Sequence, residues 1–221
     1  MSEDRKTARA FHDAGGVEDW RVLFWGAYAY YRLASFAEGA RFVGAIAEVA
    51  DSIGHFPDVD LRPDGVTIRS FTREDGALSE RDVELARKVS AIAREIGLEP
   101  DPSQVQTVGI AVAQGADVDV RPFWAAALGY RYLGAEDAID RHRRNPHLWF
   151  HELGSGIPGR GRVHIDVSVP ADQAEARVAA ALAEGGRIAD GSHAPEHWTL
   201  ASPDNHGIDI AAWPDVEDYR D

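Results

Sequence analysis

The chain has no cysteine among its 221 residues. Disulfides are therefore excluded, and so is any metal site built on thiolates. It holds no apolar run long enough to span a bilayer, which takes about 20 residues. Its first residues, MSEDRKTARAF, lack the apolar stretch of a secretory signal. A cytoplasmic protein with no membrane partner is expected. Positive charge is scarce too: 23 basic residues face 37 acidic ones, for a formal charge of −14. A nucleic-acid surface needs a basic face, so nucleic acid is not an expected partner. The one basic cluster, RHRR at 141–144, reads as a solvated loop or helix end. Lysine occurs only at Lys6 and Lys88.

What is present suffices for a real core, since 44% of the residues are hydrophobic. The stretch GLEPDPSQ at 97–104 carries two prolines and a helix-ending glycine, and it separates two differently patterned halves. The expected domains are 1–98 and 103–221, both α+β. In the first half, 4–14 reads as a short helix. WRVLFWGAY and AYYRLA read as aromatic-rich strands joined near Gly26. Ser35 with Glu38 forms a capping box ahead of a helix whose buried stripe is Phe42, Ile46, Val49 and Ile53. VDLRPDGVTIRSF gives two short strands around the turn Pro63-Asp64-Gly65. Ser79 with Asp82 caps a last helix, striped by Leu85, Val89, Ile92 and Ile96.

The run from DWRVL through SIGHFPDVDLRPDGVTIRSFTREDGALSERD to ARKV resembles the pterin-4a-carbinolamine dehydratases. Its most specific parts are His-x-Pro-Asp after an acidic helix end, and the Gly-x-Leu-Ser-x-x-Asp helix start. The resemblance implies a four-stranded antiparallel sheet with helices on one face, often in a homo-oligomer. It also implies removal of water from a 4a-hydroxytetrahydropterin. Hydroxide leaving C4a needs an acid, and a proton leaving N5 needs a base. Imidazole suits both roles, because its pKa lies near the working pH. The family pattern sets an acidic residue, then His-His-Pro, then Thr-His. Here it falls on Asp51, His55, Phe56, Pro57, Thr72 and Arg73. The resemblance thus implies His55 as acid, Asp51 orienting it across one helical turn, and Arg73 positioning a pterin-like substrate. Phe56, Pro57 and Thr72 line the site, and no cofactor is required. Phe56 cannot transfer a proton, and Arg73 stays protonated. The alternative is a degenerate domain in which His55 only caps its helix, and which serves binding or assembly.

The second half reads as strand, helix and strands, twice. PFWAAALGY, RVHIDV and WTLASPDNHGIDI resemble the glyoxalase-like branch of the vicinal-oxygen-chelate superfamily, implying paired βαβββ modules. Strand alternation puts Val163, Ile165, Val167 and Val169 under the helices, and His164, Asp166 and Ser168 in the cavity. Asp209 shares that cavity face. His164 and Asp209 fall where the superfamily places metal ligands. His151 is the candidate for another ligand, with Glu152 second, and Thr107 occupies the first-strand position. This N/O set suits a divalent metal. The alternative is a metal-free polar cavity with His164 bonded to Asp209. His142, His147, His193, His197 and His206 read as loop residues.

Overall fold

A computed structural model of the chain describes residues 5–24, 26–72, 77–115, 117, 119–153, 163–203 and 206–213. The chain splits into two units, one running to Val105 and the other Gln106–Ala212. The first unit contains α1 (Ala8–His12), β1 (Trp20–Leu23), β2 (Gly26–Arg32), α2 (Phe36–Ile53), β3 (Asp58–Arg62), β4 (Gly65–Ser70) and α3 (Glu80–Glu95). Its sheet has the order β1-β2-β4-β3, with every pair antiparallel. Alternation turns Trp20, Val22, Ala27, Ala29, Tyr31, Val66 and Ile68 to one face. There they form one buried cluster with Phe42 and Ile46 of α2 and with Val83, Leu85, Ala86, Val89 and Ala93 of α3. Both long helices therefore lie on the same face of the sheet, as the resemblance implied.

Three details depart from the sequence reading. Ile96 is 45% exposed, because α3 stops at Glu95 and its apolar stripe stops with it. The turn between β3 and β4 is Pro63-Asp64 alone. Gly65 opens β4 beneath the ring of Tyr30, where an added Cβ would come within 2.1 Å of the phenolic oxygen. The proline-containing stretch between the halves also belongs to the first unit. β1 pairs with β2 only as far as Ala29. Beyond it, the Arg32 N–H donates to the Glu99 carbonyl (3.0 Å) and the Asp101 N–H to the Tyr30 carbonyl (2.8 Å). Arg32 pairs with Asp101, and Leu98 and Val105 are buried.

The second unit is two consecutive βαβββ modules. The first comprises β5 (Thr107–Gln114), α4 (Arg121–Leu128), β6 (Arg131–Leu133), β7 (Asp137–Ile139) and β8 (His147–Glu152). The second comprises β9 (Val163–Pro170), α5 (Ala171–Ala183), β10 (Arg187–Asp190), β11 (His197–Ala201) and β12 (Gly207–Trp213). They share one eight-stranded sheet, ordered β10-β11-β12-β9-β5-β8-β7-β6, with β9 and β5 antiparallel at its centre. On the outer face, α5 seals Val167, Val169, Trp198, Leu200 and Ile210. Val163 and Ile165 were expected under a helix as well, but they are 44% and 36% exposed. The reason is the path of α5, which leaves the end of β9 and packs across β12 and β11 toward the edge strand β10. Among the described residues no helix is long and apolar enough to cross a membrane.

Candidate functional site

In the first unit the end of α2, the end of β4 and the start of α3 converge on His55. Gly54 ends α2 in the left-handed region (φ 64°), which costs glycine little. The next N–H, that of His55, still reaches the Ala50 carbonyl at 3.1 Å. This turn carries the His55 ring into the protein, leaving the residue only 8% exposed. Its Nε2 lies 2.7 Å from Asp82 Oδ1 and 3.3 Å from Ser70 Oγ.

Asp82 is fully buried and saturated with donors. Ser70 Oγ donates to Oδ1 at 2.6 Å. Oδ2 accepts from Thr72 Oγ1 at 3.0 Å, from Ser79 Oγ at 2.9 Å and from the Ser79 N–H at 2.8 Å. The last bond is half of the capping box of α3, so one carboxylate both starts the helix and holds the histidine. Burial pushes the Asp82 carboxyl up, but the hydrogen bonds from His55 and Ser70 and the charge of His55 outweigh it, and the net direction is down. An ionised Asp82 only accepts, so His55 Nε2 carries hydrogen and Nδ1 is the ring nitrogen outside the cluster.

The carboxylate that meets His55 is thus Asp82, not Asp51. Asp51 is exposed, because the turn at Gly54 rotates His55 away from the outer face of α2. Thr72 is brought to the cluster, where its hydroxyl is shared between Ser79 Oγ (2.9 Å) and Asp82 Oδ2 (3.0 Å). Phe56, beside His55, is 52% exposed, and Pro57 is half-buried. Arg73 lies outside the described residues. The sequence does single out Asp82, but only as a helix cap. Nothing local reveals that a residue 27 positions from His55 is its partner.

In the second unit the cavity face of the sheet gathers His164, Asp166 and Asp209, each offering one ligand atom within 4.8 Å of the others. His164 is 3% exposed. Its Nε2 lies 3.3 Å from Asp166 Oδ1 and 3.4 Å from Asp209 Oδ2. These are ion-pair contacts rather than aligned hydrogen bonds, and both ring nitrogens are buried without a hydrogen-bond partner. Burial pulls the imidazole pKa down, but the two carboxylates outweigh it and hold it up at about 9. Strand alternation thus places His164 and Asp209 together as expected, and it adds Asp166 to them.

His151 stands beside this group. Its ring stacks on Trp149 (4.8 Å between centroids) and meets His164 edge-on at 5.6 Å. Its Nδ1–H donates to the Glu152 carbonyl at 2.8 Å, while the Glu152 side chain is exposed. Room for these rings comes from Gly109, Ala111 and Ala113 on β5. At Gly109 an added Cβ would lie 2.4 Å from the ring of His147. His147 and His197 are therefore strand residues that open β8 and β11, not loop residues as their sequence context implied.

Two families match this chain. The pterin 4 alpha carbinolamine dehydratase family matches residues 3–92, and the glyoxalase-like domain family matches residues 109–211. The chain belongs to the pterin-4a-carbinolamine dehydratase family through its first unit, which is fused to a glyoxalase-like domain. A "Putative pterin-4-alpha-carbinolamine dehydratase" of Thermomicrobium roseum is 38% identical over 63 residues, covering 28% of this chain and 68% of that one. The protein of the same name from Cyanothece sp. is 30% identical over 80 residues, covering 36% of this chain and 82% of its own. The matched segments span 68%, 63% and 66% of the first three relatives' own lengths. The crystal structure of a transcriptional coactivator/pterin dehydratase from Brucella melitensis shares 22% identity, with a TM-score of 0.38, over 41% of this chain and 99% of that one.

Proposed function

We propose that the first unit is a hydro-lyase, removing water from a 4a-hydroxytetrahydropterin or a related cyclic carbinolamine. The observation that supports this reading is the buried cluster of His55, Asp82 and Ser70. With Nε2–H committed to Asp82, His55 Nδ1 is the nitrogen that exchanges a proton with substrate. The Nδ1 proton passes to the C4a hydroxyl, the C–O bond breaks, and the electron pair on N5 forms the C4a=N5 bond. The proton then leaves N5 and returns to His55, so that the net change is loss of one water. A single imidazole serves first as acid and then as base, because Phe56 and Arg73 stand where the family pattern has histidines. The exposed ring of Phe56 and the side chain of Pro57 supply an apolar edge for a flat heterocycle. Arg73 positions the substrate, and a homo-oligomer is part of this proposal. The test is loss of 4a-hydroxytetrahydropterin followed by absorbance. Acceleration over buffer is expected, and a rate equal to buffer overturns the hydro-lyase reading.

A second reading is favoured by the ring of His164, buried without a hydrogen bond between two carboxylates: the glyoxalase-like cavity binds a divalent cation through His164 and Asp209. The donor chemistry fits, since a buried imidazole beside two carboxylates supplies one nitrogen and two oxygens to a dipositive ion. A bound divalent ion would supply Lewis-acid polarisation of a substrate oxygen there. In this reading the first unit serves ligand binding or assembly.

This reading carries a pH dependence of defined sign. In metal-free protein the His164 pKa is raised to about 9 from its ordinary 6.5. Its charge therefore stabilises the fold fully below about pH 6.5, and that contribution is lost as pH rises through 9. Its size is on the order of 3 kcal/mol. Metal must displace the same proton, so cation affinity runs the other way. It is expected to be about 100-fold weaker at pH 7 than above pH 9. Thermal unfolding in chelator and manganese titration, each at both pH values and against His164→Gln, check the two trends. An affinity independent of pH would rule out His164 as a ligand.

A further inference from the structure

We propose that Asp166, rather than His151, is the third protein ligand of the divalent cation held by His164 and Asp209. The centre is then built from two adjacent strands of a single module. This inference rests on the metal reading of the glyoxalase-like cavity and specifies which donors make it.

The register supplies the first argument. His164 and Asp166 are two apart on β9, so both face the cavity. β12 is the neighbour of β9 in the sheet and carries Asp209. One atom from each of the three falls within 4.8 Å of the others, a spacing that one ion spans. His151 is on β8, with β5 lying between it and β9. Two strand spacings of roughly 4.8 Å separate the backbones. The ring of His151 is held by Trp149 on its face and the Glu152 carbonyl at Nδ1, and although its Nε2 is also buried without a hydrogen-bond partner, it lies outside the 4.8 Å grouping of the other three. It forms a wall of the site rather than a member of the group.

The second argument is unmet hydrogen bonding. The contacts of His164 Nε2 with Asp166 (3.3 Å) and Asp209 (3.4 Å) are ion pairs without hydrogen-bond geometry. His164 is 3% exposed, yet neither ring nitrogen has a hydrogen-bond partner, and Asp166 Oδ1 is buried in the same condition. Buried polar atoms without partners are uncommon, because each forfeits its hydration. Coordination would satisfy the His164 Nε2 lone pair and the Asp166 oxygen together. On the other side, Thr107 brings a buried hydroxyl without a partner, opposite Ser168 on β9. A neutral hydroxyl is a weak ligand, so a carboxylate from β9 itself replaces what the first strand does not offer. One imidazole and two carboxylates favour a hard ion such as manganese over zinc held by several nitrogens. Three protein ligands also leave positions open, as in catalytic sites.

The experiment uses the whole chain, dialysed against chelator and titrated with manganese chloride. Free manganese is read by electron paramagnetic resonance. Wild type is expected to bind one ion per chain. Asp166→Asn is expected to lose more than the roughly 10–100-fold typical of an outer-shell change. His151→Phe keeps the stack on Trp149 and is expected to bind as wild type does. Circular dichroism and thermal unfolding in chelator establish that each variant is folded. Wild-type affinity in folded Asp166→Asn overturns the ligand assignment and leaves the metal reading standing. Loss of binding in folded His151→Phe overturns it equally, and does so even if Asp166→Asn fails to fold. Wild type that binds no manganese overturns both the assignment and the reading beneath it.

Discussion

Replacing His55 with alanine is expected to slow dehydration by roughly 10²–10⁴-fold, the usual consequence of losing an acid–base group. The effect should sit at the upper end, because no second imidazole stands ready. Phe56 has no titratable group, and arginine at position 73 stays protonated in proteins. The variant should also lose stability, since His55 is buried against a buried carboxylate. That loss should stay below the full cost of an uncompensated buried charge, because Ser70, Thr72 and Ser79 still donate to Asp82. His55→Gln separates the two effects. Its amide N–H restores a donor toward Asp82 but cannot act as an acid or a base near neutral pH. Stability measured by urea unfolding should recover in His55→Gln while the dehydration rate does not. A His55→Ala protein that dehydrates as fast as wild type would remove His55 from the reaction.

Asp82→Ala is expected to be the most damaging change for folding, at about 3–5 kcal/mol, as when one partner of a buried pair is removed. Three losses coincide. His55 keeps its burial but loses its acceptor, Ser70 and Ser79 lose theirs, and α3 loses half of its capping box, itself worth about 1 kcal/mol. Asp82→Asn is the milder probe. It keeps the volume and one acceptor oxygen, but a neutral amide is a weaker acceptor for the His55 Nε2–H than a carboxylate. The dehydration rate of the folded variant should fall, whereas a purely structural Asp82 would leave the rate of the folded protein where it was. The acid limb has a defined sign. The Asp82 carboxyl is held below its ordinary range. Its contribution is therefore present above about pH 4, and is lost as pH falls through the depressed value. Wild type should lose stability there, and Asp82→Ala should show less of that loss. If Asp82→Ala unfolds within 1 kcal/mol of wild type (about fivefold in the equilibrium constant), the cluster does not carry the energy assigned to it.

Much of the fold could be read from periodicity. Phe42 and Ile46 announce the buried face of α2, and the Pro63-Asp64 turn separates β3 from β4. The cavity side of β9 follows from alternation alone, which is why His164, Asp166 and Asp209 could be placed on one surface before any coordinates. Two short strands could not. β7 and β10 have 3 and 4 residues, too few for alternation to register. The partner of His55 was hidden for a different reason. Asp51 is the acidic residue four positions away on the same helix, so local geometry nominates it. The actual partner is chosen by Gly54, whose left-handed conformation swings the ring across to another helix. Val163 and Ile165 carry the alternation of a buried strand but not its burial, because alternation gives the side a residue faces and says nothing about whether a helix covers it.

The double bonding of Asp82, to the helix start at Ser79 and to the ring of His55, has a consequence for how such sites decay over generations. Selection for a folded chain and selection for catalysis act on the same carboxylate. A lineage that abandons the reaction can drift at the histidine with a tolerable penalty, but it cannot drift at the aspartate without losing the beginning of α3. The aspartate should therefore outlast the activity it once served. Among descendants of this fold, an acid at the third position of that helix is a record of structural need. The histidine after the glycine is the position whose retention would speak for chemistry.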